Sequence, residues 1–176
     1  MHARNNIFLI GFMGAGKSTI ARYLHRKYGM KWLEMDKEIE RKQGMSISEI
    51  FRLKGEEYFR GLETDLLLSL EGKEHTVVSC GGGVPLRDCN VEAMKKSGVI
   101  VFLTARPETI LQRVKDSHDR PLLEGHKDVA YIAELLAGRQ KKYEAAAELL
   151  AATDGRSAEE IGEEIYRRVG EIGEKQ

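Results

Sequence analysis

The chain has 176 residues, with 28 Lys plus Arg set against 28 Asp plus Glu, so no net charge draws it to nucleic acid or an anionic membrane. That length fits one domain, residues 1–176, with a substantial core. Cys80 and Cys89 have neither C-x-x-C spacing nor companion histidines, which argues against a disulfide framework or a zinc site.

Residues 1–6 carry no long apolar run, and no apolar stretch approaches the roughly 18 residues of a membrane span, so a soluble, cytoplasmic chain is expected. The run Ile7-Phe8-Leu9-Ile10 reads as a strand covered on both faces. It leads into Gly11-Phe-Met-Gly14-Ala-Gly16-Lys17-Ser18 and then a helix over 17–28, stopped by Gly29. A second strand over 31–36 ends in Glu34 and Asp36. From 37 to about 70 the pattern is helical, interrupted near Gly44 and Gly55, and this is more helix than a simple crossover needs. A third strand over 76–80 runs into Gly81-Gly82-Gly83, and a short helix over 91–96, closed by Gly98, precedes a fourth strand over 99–103. Pro107 opens a helix over 108–115, a polar loop broken by Pro121 and Gly125 follows, and a long helix covers 129–150. A short strand near 149–153 and a final helix from Ser157, with Glu160 completing a capping box, end the chain. Alternating strands and helices predict a three-layer α/β fold around a five-stranded parallel sheet.

The strand–loop–helix at 7–28 is the context that a P-loop, G-x-x-x-x-G-K-[ST], requires. Its glycines let successive backbone N–H groups face a phosphate, and the helix N-terminus adds positive potential. Lys17 would then reach the β- and γ-phosphates and Ser18 would ligate Mg²⁺. Asp36, at a strand end beside the P-loop, can take a proton from an attacking hydroxyl, and Glu34 can hold Mg²⁺ through water. Arg60 and Glu63 are one helical turn apart, a spacing that can hold a guanidinium rigidly but by itself favours a solvated surface pair. Three consecutive glycines at a strand end predict close approach of a ligand to bare backbone. The loop at about 114–125 suits a lid, with Arg120 as its arginine. The five histidines show no ligand spacing, and Trp32 reads as core.

Taken in order, GFMGAGKS, LEMD, GEEYFRGLE, SCGGG, RPLL and Arg139 resemble shikimate kinases over essentially the whole chain. The resemblance implies a P-loop kinase with a helical substrate-binding insertion at about 37–70. It implies transfer of the ATP γ-phosphoryl group to the 3-hydroxyl of shikimate, with Mg²⁺, by a monomer. ATP would be bound by Gly14, Ala15, Gly16, Lys17, Ser18, Thr19, Arg113, Arg120 and Arg156. Shikimate would be bound by Asp36, Arg60, Gly81, Gly82, Gly83 and Arg139, with Phe51, Phe59 and Glu63 in support. Asp36, Lys17 and Arg120 would be catalytic, and Ser18 and Glu34 would serve the metal. Glu34 stands where many members of the family carry Asp. Alternatives are a kinase for another hydroxylated acid such as gluconate, or a nucleotide-binding regulator without catalysis.

Overall fold

A computed structural model describes residues 4–115 and 128–175. Arg120 and all of the expected lid beyond residue 115 lie outside the described residues.

The five strands are β1 (Asn6–Ile10), β2 (Lys31–Glu34), β3 (Thr76–Ser79), β4 (Gly98–Thr104) and β5 (Leu149–Ala152). All pair in parallel, in the order β2-β3-β1-β4-β5, so β1 is central and every strand ends on the same side of the sheet. The helices are α1 (Lys17–Tyr28), α2 (Met35–Gln43), α3 (Ile47–Lys54), α4 (Glu56–Leu68), α5 (Asp88–Ser97), α6 (Pro107–Val114), α7 (Val129–Ala146) and α8 (Ala158–Gly173).

Strand periodicity divides the core in two. Ile7, Leu9, Val77, Val99, Val101 and Leu103 face α1 and α8, while Phe8, Ile10, Val78, Ile100 and Phe102 face the layer that contains α2 to α7. The continuous apolar runs of β1 and β4 thus serve two faces at once, as buried parallel strands must.

Four expectations are corrected. Strand β2 stops at Glu34, and Asp36 is the second residue of α2 rather than a strand-end residue. Trp32 is 39% exposed, because β2 is an edge strand with its outer half uncovered. Gly98 begins β4 instead of merely closing α5: it is extended (φ −170°), and a side chain there would overlap the Asn6 carbonyl across the β1–β4 pair. Helix α7 ends at Ala146, where the chain turns extended at Ala147 to enter β5.

Candidate active site

The P-loop follows the central strand, and its glycines are required by conformation. Gly11, Gly14 and Gly16 have φ of 149°, 79° and 102°, values that side chains with a β-carbon rarely adopt. Space is also short, since a β-carbon on Gly11 would stand 2.7 Å from the Leu103 carbonyl oxygen and one on Gly14 2.8 Å from Val114 Cγ1. Lys17 Nζ donates to the carbonyls of Gly11 (2.6 Å) and Phe12 (3.1 Å), which holds its ammonium across the loop. Ser18 Oγ lies 3.4 Å from the hydroxyl of Ser79, at the end of β3. Arg113 on α6 donates to the Gly14 carbonyl (2.9 Å) and to Thr153 Oγ1 (3.1 Å), tying the P-loop to the segment after β5.

The second half of the site is built on the three glycines after β3. None of them has a positive φ, so conformational freedom does not explain them. Space does. A β-carbon on Gly81 would stand 2.8 Å from Glu63 Oε2 and 3.1 Å from Asp36 Oδ1, and one on Gly82 would be 3.1 Å from Arg139 Nη1. On Gly83 it would fall within the Arg60 guanidinium. The bare backbone therefore admits four of the chain's own polar side chains, from α2, α4 and α7, which then converge over one patch.

Within that patch Arg60 Nη1 donates to Glu63 Oε1 at 2.7 Å, and Arg60 also reaches the exposed Glu56 at 3.3 Å. Glu63 is fully buried, and its Oε2 has no hydrogen-bond partner among the described residues. Burial pushes its carboxyl above the usual range, Arg60 opposes that shift, and Asp36 reinforces it. The expected surface-pair alternative for Arg60 and Glu63 is thereby excluded. Phe59 lies beneath the Arg60 guanidinium, with its ring centroid 5.3 Å away, and packs on Phe51 at 4.9 Å.

Arg139 Nη1 lies 3.5 Å from the Tyr143 hydroxyl, which in turn donates to the Gly82 carbonyl at 2.7 Å. The Arg139 guanidinium also stands 5.9 Å from the ring centroid of Phe12, a P-loop residue. Phe12 is thus the junction of the two halves, since its carbonyl receives Lys17 while its ring faces Arg139.

Two expected residues point to other partners. Glu34 Oε1 accepts from the Trp32 indole at 3.0 Å, and Arg156 is bound to Glu164 (2.5 Å) and to the Ala152 carbonyl (3.0 Å). Three structural supports are not evident from motif reading: Tyr143, Thr64 and Asn90. Asn90 is fully buried, donates to the Val84 carbonyl (2.9 Å) just after the glycines, and accepts from Thr64 on α4 (2.7 Å). The four-residue spacing of Arg139 and Tyr143 on one helix face was the available signal for the first of them.

The arrangement sets the P-loop beside a patch over the three glycines where two guanidinium groups and two carboxyl groups meet. A family model described as shikimate kinase matches residues 13–170. A shikimate kinase of Persephonella marina is 41% identical over 164 residues, which is 93% of this chain and 98% of that protein. Among solved structures, shikimate kinase from Acinetobacter baumannii in complex with shikimate superposes with a TM-score of 0.87 at 34% identity, covering 96% of this chain and 94% of that one. Shikimate kinase from Aquifex aeolicus gives a TM-score of 0.79 at 36% identity, covering 96% and 99%. With the match running through the P-loop, the Arg60 helix, the triple glycine and Arg139, the chain belongs to the shikimate kinase family.

Proposed function

We infer that this protein transfers the γ-phosphoryl group of ATP to the 3-hydroxyl of shikimate, giving ADP and shikimate 3-phosphate. The observation that carries this is the convergence of Asp36, Arg60, Glu63 and Arg139 over Gly81, Gly82 and Gly83, beside the P-loop.

Two guanidinium groups on one side suit a carboxylate, and carboxylate oxygens at the other suit ring hydroxyls. Glu63 Oε2, an acceptor with no partner among the described residues, would be satisfied by a hydroxyl or a water carried with the substrate. Asp36, exposed at the mouth on the first turn of α2, would orient the attacking hydroxyl and take its proton. Residues 14–19 would hold the phosphates of ATP through backbone N–H groups and Lys17, and Arg113 would flank the nucleotide where it bridges Gly14 and Thr153. Arg120 is proposed as the lid arginine, on the sequence alone. Arg156 would serve ATP only by leaving Glu164.

Mg²⁺ in such sites is held by few protein ligands and by the phosphates themselves. The Ser18 hydroxyl at the start of α1 fits that role, and no cluster of three acidic, His or Cys ligands exists among the described residues to suggest a dedicated cage. The ion would neutralise charge on the transferring group. Glu34, engaged with Trp32, is the weaker ligand of the two. The proposal extends to a monomer acting in the cytoplasm; among the described residues no helix is long and apolar enough to cross a membrane.

The experiment is a substrate panel read by ADP release. Shikimate should support turnover while gluconate does not. Equal turnover of both would contradict the assignment.

A further inference from the structure

Three consecutive glycines form a backbone segment that folding must order at high entropic cost, and its peptide planes need external restraint. Among the described residues, its one hydrogen bond from α7 comes from the Tyr143 hydroxyl. Tyr143 is fully buried, with its ring packed on Phe102 of β4 at a centroid distance of 5.3 Å, so the sheet core fixes where its oxygen stands. That oxygen donates to the Gly82 carbonyl at 2.7 Å and lies 3.5 Å from Arg139 Nη1, one helical turn earlier on α7.

Arg139 differs from Arg60 in what holds it. Arg60 is clamped by Glu63 and Glu56, whereas among the described residues Arg139 hydrogen-bonds only to Tyr143 and meets no carboxylate. Its charge is left for a ligand, but so is its conformational freedom. A long side chain ordered only on binding costs affinity.

We propose that Tyr143 is a positioning residue for substrate binding: its hydroxyl holds the Arg139 guanidinium and the Gly82 peptide in register, so that the two form one wall of the acid-binding pocket. The hydroxyl occupies the Gly82 carbonyl oxygen, which would otherwise be free to turn toward Arg139 and compete with the substrate anion for it. This role rests on the assignment of the pocket to shikimate, and it concerns the acceptor half of the site alone, because Lys17, Ser18 and Arg113 have other partners.

Tyr143→Phe keeps the ring in the core and removes only the hydroxyl. It should raise the KM for shikimate about tenfold, the worth of one hydrogen bond, with kcat and the KM for ATP changed by less than about twofold. In an Arg139→Lys background the same change should add clearly less than its separate effect. An unchanged KM for shikimate, an equal rise in the KM for ATP, or full multiplication of the two effects would overturn the proposal. Wild-type protein without shikimate-dependent ADP release would instead overturn the substrate assignment. Tyr143 would then still be decided without substrate: proton exchange at the Arg139 side chain, followed by NMR, should be faster in Tyr143→Phe, and an unchanged rate would overturn its positioning role.

Discussion

The Arg60 guanidinium lies where a β-carbon on Gly83 would be. Gly83 itself has φ −88° and ψ −9°, a conformation open to any residue, so the glycine is kept by its neighbour and not by its backbone. Gly83→Ala should therefore fold without backbone strain but displace Arg60, at some cost in stability because buried Glu63 loses its cation. The KM for shikimate should rise at least about tenfold while that for ATP stays within about twofold, as expected when one charge-assisted contact is lost. Steady-state kinetics beside a thermal melt checks both halves, and an unchanged KM would contradict the crowding.

Gly14 presents the opposite case. At φ 79°, with Val114 Cγ1 2.8 Å from a β-carbon, Gly14→Ala meets both backbone strain and a clash. Strain alone in this region costs on the order of 1–3 kcal/mol, and relief requires the P-loop to change shape. The variant should lose ATP affinity by at least about tenfold with shikimate binding preserved. Titration of each substrate separately is the check, and equal losses of both would point to general unfolding.

Glu63 links the site to pH. Burial raises its carboxyl above the ordinary 4.5, and Asp36 adds to that, while Arg60 and Arg87 pull it down. The folded state thus binds this proton more tightly than the unfolded chain. Stability from the group is fully present below its ordinary value and is lost as pH rises through the raised one. Urea unfolding of wild type and Glu63→Gln across that interval should show the difference in stability moving in the variant's favour as pH rises. A difference independent of pH would contradict the raised value.

Asn90 joins the turn after the glycines to α4 through Val84 and Thr64. Asn90→Ala leaves the Val84 carbonyl without that donor in a buried place, at a cost of about 1–3 kcal/mol. Denaturant unfolding should show it, and a loss below about 0.5 kcal/mol would mean that the turn is held by other contacts.

The strands were legible because β1, β3 and β4 are buried on both faces and read as unbroken apolar runs. The P-loop was legible because its glycines are fixed by φ, which leaves a residue-level mark. The end of β2 was not. Glu34 and Asp36 look like strand alternation, yet the chain turns into α2 at Met35, a fully buried residue whose packing decides the matter. The triple glycine announced close approach, but sequence pointed to a ligand, whereas the first groups to arrive are Glu63, Asp36, Arg139 and Arg60. Tyr143 and Asn90 carry no motif because their roles are pairings across 61 and 26 residues of chain. Trp32 misled for a related reason: an edge position is a property of the sheet order, which no local pattern reports.

On the proposed function, the P-loop and the patch over the three glycines serve one phosphoryl transfer from ATP to shikimate. Coupled measurement of ADP release, with and without shikimate and with and without Mg²⁺, tests it most directly. Release should require all three of ATP, Mg²⁺ and shikimate and should stop in Asp36→Ala with ATP still bound. ATP binding without shikimate-dependent ADP release, or near-normal turnover in Asp36→Ala, would contradict it.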